Sequence, residues 1–185
     1  MWINEIIDIK TGKLPFKFDY GGECSDDFLE KWEKKRTGNN ISYFEDEKNG
    51  GLAVYAEIKV YESCPAFDLK ITLENTGKTN TKMIDGLSTL DFSADCPLKD
   101  GTYLVRKTAG GLSTLEDFVQ SEVIINDGGK LLLETSGGRS SNKDLPFFRI
   151  DTGKGNVIIA VGWTGQWKCE VKNINGYDKI FFNSL

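Results

Sequence analysis

The chain reads as an all-β protein, an antiparallel sandwich in a single domain over residues 1–185, and three observations predict it. Alternation of apolar and polar residues with a period of two dominates, glycine-bearing turn signals recur at regular spacing, and one short segment alone has helical character. With 39% hydrophobic and 11% aromatic residues, the chain can bury one sizeable core.

Taken from the start, WINEIIDIKTGKLPFKFDY, Trp2 to Tyr20, predicts a first pair of strands. CSDDFLEKWEKKR, Cys24 to Arg36, predicts the helix. Ser25 can cap it, Asp26 and Asp27 suit its positive end, Lys34, Lys35 and Arg36 suit its negative end, and Leu29 and Trp32 share its buried face. In GLAVYAEIKVY, Leu52, Val54, Ala56, Ile58 and Val60 fall on one face. Phe67, Leu69, Ile71 and Leu73 repeat the pattern, and Asn75 to Gly77 supplies the closing turn. LEDFV, residues 115–119, offers at most a helical turn.

Three hairpins are expected in the second half. VIINDGGKLLLE sets Asn-Asp-Gly-Gly between two apolar runs, FFRIDTGKGNVIIAVGW brackets TGKGN, and KCEVKNINGYDKIFF brackets an Asn-Gly dipeptide. The chain closes on IFFNSL with no polar tail, which predicts one domain of a longer polypeptide.

Charge and composition remove several functions. Lysine and arginine total 23 against 28 acidic residues, a net charge of −5, so no basic field exists to neutralise nucleic-acid phosphates. No apolar run is long enough to span a membrane as a helix, and no leader pattern opens the chain. The histidine count is zero. Without imidazole neither a Ser-His-Asp arrangement nor a usual zinc or haem site can be assembled, and no metal or cofactor is expected. Cys24, Cys64, Cys96 and Cys169 are widely spaced, which predicts reduced and mostly buried thiols in a cytoplasmic protein. Among carboxylates, Asp85, Asp91 and Asp95 are near one another in sequence and Glu116 adjoins Asp117, but no spacing singles out a general acid, so no catalytic residue is assigned.

Two segments depart from the alternation: GGRSSNKDLPFF, Gly137 to Phe148, and VGWTGQW, Val161 to Trp167. Both are expected at strand ends. Sugars are recognised by ring faces stacking on aromatic planes while amide, guanidinium and carboxylate groups meet the hydroxyls. The candidate residues are therefore Trp163, Trp167, Gln166, Arg139, Ser141, Asn142 and Asp144. Each also has a packing interpretation. Trp163 and Trp167 share parity and would both face a core in one continuous strand, Arg139 could pair with Asp144, and Ser140, Ser141 and Asn142 are ordinary turn formers. The expectation is that Trp163 ends a buried strand while the turn at Thr164 to Gln166 carries Trp167 toward a surface.

GGRSSNKDLPFF followed by VIIAVGWTGQW resembles the N-terminal domain of glycoside hydrolase family 36, the α-galactosidase or melibiase group. LPFKFDYGGECSDDFLEKWEKKR is similar to that domain's early strand, glycine turn and tryptophan-bearing segment, and CPAFDLKITLENTG to its strand with a terminal N-T-G turn. The likeness runs from about Leu14 to Trp167, and its late motifs are the more specific. It implies a β-supersandwich of galactose mutarotase-like architecture, packed against a C-terminal (β/α)₈ barrel of the same polypeptide that carries the catalytic aspartates. The candidate residues would then dock that barrel or help shape a galactoside pocket, and the full enzyme could form homo-oligomers. A self-sufficient carbohydrate-binding module is the competing interpretation. Mutarotase chemistry itself is disfavoured, since mutarotases use histidine.

Overall fold

The computed structural model describes residues 14–94, 97–174 and 177–184, the last group as backbone alone. The expected N-terminal strand up to Lys13, the residues Asp95 and Cys96, and the Asn175–Gly176 turn lie outside the described residues. Among the described residues the chain is all-β, with fourteen strands paired antiparallel. Its contacts divide into two compact units, Met1–Thr89 and Leu90–Leu185.

In the first unit, β1 (Lys17–Tyr20) turns into β2 (Glu23–Cys24), a single α-turn α1 (Ser25–Phe28) and a 3₁₀ turn over Leu29–Lys31. A meander follows: β3 (Glu33–Thr37), β4 (Asn40–Phe44), β5 (Leu52–Tyr61) and β6 (Ala66–Asn75), hydrogen-bonded in that order. β7 (Ile84–Ala94) starts beside β1, with Tyr20 opposite Ile84. The long pair β5–β6 keeps register from Leu52↔Asn75 to Tyr61↔Ala66. Leu52, Val54, Ala56 and Ile58 are buried as the alternation requires, and only Val60 at the far end is exposed. Gly77 closes the strand with an Asx turn, its N–H donating to Asn75 Oδ1 at 2.9 Å.

The expected helix is cut short. Helical structure stops at Lys31, and Lys34, Lys35 and Arg36 stand on β3, exposed, at the edge of the meander. A run of cations suits a helix C-terminus and an unpaired edge strand equally, because charge on an edge discourages further pairing. Ser25 is no cap either: it is buried, and its Oγ accepts the Phe18 N–H at 3.2 Å. The shared apolar face survives without the helix. Leu29 is buried, and Trp32 packs on Phe28 with ring centroids 5.0 Å apart, at the end of a core that includes Phe18, Tyr20 and Ile41.

A buried carboxylate ties this unit together. Glu45 Oε2 accepts from the Tyr20 hydroxyl at 2.7 Å and from Leu52 N at 3.1 Å, so the loop before β5 is fastened to β1.

The second unit holds a four-stranded sheet in the order β12-β11-β8-β9, made of β8 (Tyr103–Thr108), β9 (Gln120–Ile125), β11 (Phe147–Thr152) and β12 (Gly155–Ala160). β10 (Lys130–Glu134), β13 (Trp167–Ile174) and β14 (Tyr177–Ser184) form a second antiparallel set with β13 between the other two. The β11–β12 and β13–β14 hairpins are as expected.

The hairpin expected across VIINDGGKLLLE is not one. β9 pairs with β8 and β10 pairs with β13, so the Asn126–Gly129 turn passes the chain from one sheet to another. Turn residues specify a reversal of direction, and tertiary context chooses the partner. Here Asn173 supplies that context. It is fully buried, exchanges backbone hydrogen bonds with Gly128 and Gly129, and donates from Nδ2 to Ile125 O at 3.1 Å and Gly101 O at 2.9 Å.

Candidate functional site

The two segments singled out by sequence meet in the second unit, and Trp167 joins them. β13 buries Trp167, Cys169, Val171 and Asn173 on one face, which places the Trp167 ring at 0% exposure. Its N–H donates to Thr135 Oγ1 at 3.2 Å, and its indole Nε1–H donates to Ser140 O at 2.8 Å. The ring is thus a pin through the 135–144 loop. Trp163 is the one that faces outward, at 51% exposure.

This inverts the expectation for the tryptophan pair. β12 stops at Ala160, before its alternation could carry Trp163 into the core, and β13 restarts the alternation at Trp167. The signal that could have found this was the parity of Trp167 with Cys169 and Val171, downstream rather than upstream. Trp163 rests its indole on Gly165, where an added Cβ would lie 2.7 Å from Nε1. A side chain at Gly165 would displace the ring from this position.

Asp144 is buried and does not pair with Arg139. Its Oδ1 accepts from Lys107 Nζ at 2.6 Å and its Oδ2 from Glu134 N at 3.1 Å, so it braces the loop against β8 and β10. Arg139 is carried out on the Gly137–Gly138 tip and is exposed. Among the described residues it makes no ion pair. Beside this brace, Lys143 bonds Glu134 at 2.7 Å and holds its carboxyl below the usual range. Asn142 closes the loop on itself, Oδ1 accepting from Ser136 N at 3.0 Å and Nδ2 donating to Ser136 O. Ser141 is half-buried and contributes its carbonyl, which accepts from Gly111 N at 2.9 Å. Gln166 is half-buried beside Trp167. Thus Trp167, Asn142, Asp144 and the Ser141 backbone build the loop, and Trp163 and Arg139 are the residues it leaves open to a ligand.

Sequence reasoning missed a second loop, 110–119, that lies directly on the first. Gly110 N donates to Lys143 O and Gly111 N to Ser141 O, each at 2.9 Å, and the backbone at Gly110 runs so close to Ser141 that no Cβ would fit. From this base the chain rises into a tip where Leu112, Leu115, Phe118 and Val119 are all exposed. The tip is ordered by Asp117, whose carboxylate accepts from Leu112 N at 2.9 Å, Ser113 N at 2.8 Å and Thr114 Oγ1 at 3.0 Å. The Leu112 N–H bond leads the interactions that hold this carboxyl below its ordinary range. Four apolar side chains within eight residues, in LSTLEDFV, were the available signal.

Elsewhere in the unit, the outer face of the β12-β11-β8-β9 sheet carries a cross-strand charge ladder. Asp151 accepts from Arg149 Nε at 2.6 Å and Arg106 Nε at 3.0 Å, and Arg106 also pairs with Glu122. Burial pushes the Asp151 carboxyl up, but the Arg149 and Arg106 bonds outweigh it and hold it low. Every charge in this ladder is already paired, so it is scaffold.

Of the carboxylates noted in sequence, Asp85 is exposed and accepts from Gly86 N, Asp91 is half-buried, and Asp117 is committed to its loop. Among the described residues no cluster of three or more acidic, cysteine or histidine side chains could hold a metal ion. The thiols of Cys24, Cys64 and Cys169 are free. Of these three described thiols Cys169 alone is buried, which raises its pKa, whereas Cys24 is half-buried and Cys64 is exposed on the β5–β6 turn, against the expectation of mostly buried thiols. No helix among the described residues is long and apolar enough to cross a membrane. Compared with protein-family models, with curated proteins and with solved structures, the chain matches none.

Proposed function

We propose that the chain is a non-catalytic N-terminal domain of an α-galactosidase-like glycoside hydrolase, and that its 110–119 and 137–144 loops dock a (β/α)₈ catalytic barrel of the same polypeptide. One observation carries this reading: Leu112, Leu115, Phe118 and Val119 stand exposed on a loop that Asp117 holds rigid. An apolar patch that is ordered before binding costs little entropy to bury, as a permanent interdomain contact requires. The resemblance of the 137–167 segment to family 36 supports the choice of partner, and active sites of barrels lie at the mouth where such loops would sit. A cytoplasmic setting belongs to the same proposal, supported by the free, exposed thiol of Cys64.

The test is the size of the native polypeptide detected in its source cell by an antibody to this domain. A product several hundred residues longer is expected. A product of 185 residues alone, or turnover of a chromogenic α-galactoside by these residues alone, would overturn the reading.

A second reading rests on Trp163. Its half-exposed ring, beside Gly165, offers a stacking surface for a sugar face. Tryptophan fluorescence titrated with galactose or raffinose tests it: a saturable change lost in Trp163→Ala supports a carbohydrate-binding module, and a flat titration removes it.

A further inference from the structure

β12 is an edge of a different kind from the others. Val161 N donates to Pro146 O at 2.7 Å, extending the β11–β12 ladder beyond Phe147↔Ala160. Hydrogen-bonding direction alternates along an antiparallel strand. Val161, Ile159 and Val157 therefore bond toward β11, and Ala160, Ile158 and Asn156 direct their N–H and C=O groups away from it. Among the described residues nothing takes those groups, because β12 ends its sheet. The same three side chains lie on the solvent face and are exposed, Ile158 to 74%.

Edges are normally guarded by charge, proline or brevity. Among the terminal strands, β3 carries Glu33 to Arg36, β6 carries Asp68, Lys70 and Glu74, β9 carries Glu122, β10 carries Lys130 and Glu134, and β2 has two residues. β12, Gly-Asn-Val-Ile-Ile-Ala, has no charge and no proline. Among the described edge strands, β12 alone lacks such a guard.

We propose that its occupant is β12 of a second copy of this chain, paired antiparallel about a two-fold axis at Ile158. This register sets Ile158 against its own counterpart and Asn156 against Ala160, and it closes about six backbone hydrogen bonds into one continuous sheet across the two copies. Because β12 carries no charge, the two-fold sets no like charges against each other, so the strand can accept its own copy. The pairing is independent of the docking loops and stands whether or not they meet a barrel.

Light scattering and sedimentation of the 185-residue chain over a dilution series test the proposal. The expected result is a species of twice the monomer mass that dissociates on dilution, and a monomer for Ile158→Lys at the same concentrations, with the melting temperature the unmodified chain shows once diluted to monomer. Ile158→Pro is a second monomerising variant, because the N–H it removes takes no part in the β11 ladder. A chain that is monomeric at every concentration overturns the proposal, as does a dimer that withstands Ile158→Lys.

Discussion

The indole Nε1–H of Trp167 donates to the carbonyl of Ser140 at 2.8 Å, tying the first residue of β13 to a loop 27 positions earlier in the chain. A single ring therefore serves as a core residue of the second unit and as the fastening of its most polar loop. Trp167→Ala is expected to cost about 3–5 kcal/mol in urea unfolding, as for other large aromatic truncations. Trp167→Phe keeps most of the buried area and loses the hydrogen bond, worth about 1 kcal/mol, and its signature is faster amide exchange over residues 136–142.

Trp163 offers the opposite result. Being half exposed, it is expected to account for the acrylamide-quenchable part of the second unit's fluorescence, and Trp163→Phe should remove that part with no change in melting temperature. Persistence of the same quenching in Trp163→Phe would mean that another ring is open to solvent.

The Lys107–Asp144 pair predicts a coupled loss. Asp144 is 2% exposed and serves both Lys107 Nζ and Glu134 N, so Asp144→Ala strands a backbone donor and a cation together, for a cost of about 2–3 kcal/mol. Lys107→Met should cost less alone, and the double variant should fall well short of the sum. Additivity in that cycle would show the two side chains to act independently.

Stability at high pH follows from two phenols. Burial pushes Tyr20 up to about 12, with its bond to Glu45 adding to the effect, and burial followed by the charge of Glu30 pushes Tyr43 up to about 12. The unfolded chain releases these protons nearer the ordinary value of 10.0. Folded stability is therefore full below about pH 10 and falls as pH rises from there toward about pH 12. Tyr20→Phe should flatten part of that decline in urea unfolding at successive pH values. At the acid end the sign reverses: Asp151, held low by Arg149 and Arg106, contributes above the unfolded carboxylate range and loses its contribution as pH falls below it.

The strands and most of their inward faces were legible in the sequence. Alternation in β5 and β6 and the turns at Asn75–Gly77 and Thr152–Gly155 are local, because a strand's side-chain period and a glycine's allowed φ depend on near neighbours alone. The loop at Gly137 to Asp144 was legible too, as a cluster of turn formers between apolar runs. Three features were decided only by tertiary structure. Which strand pairs with β10 depends on Asn173, some 40 residues away, clamping the Asn126–Gly129 turn. Whether Lys34 to Arg36 end a helix or guard an edge depends on β4 lying beside them. Which of two tryptophans is buried depends on where one strand stops and the next begins, and that boundary is set by pairing across the sheet, which sequence periodicity does not register.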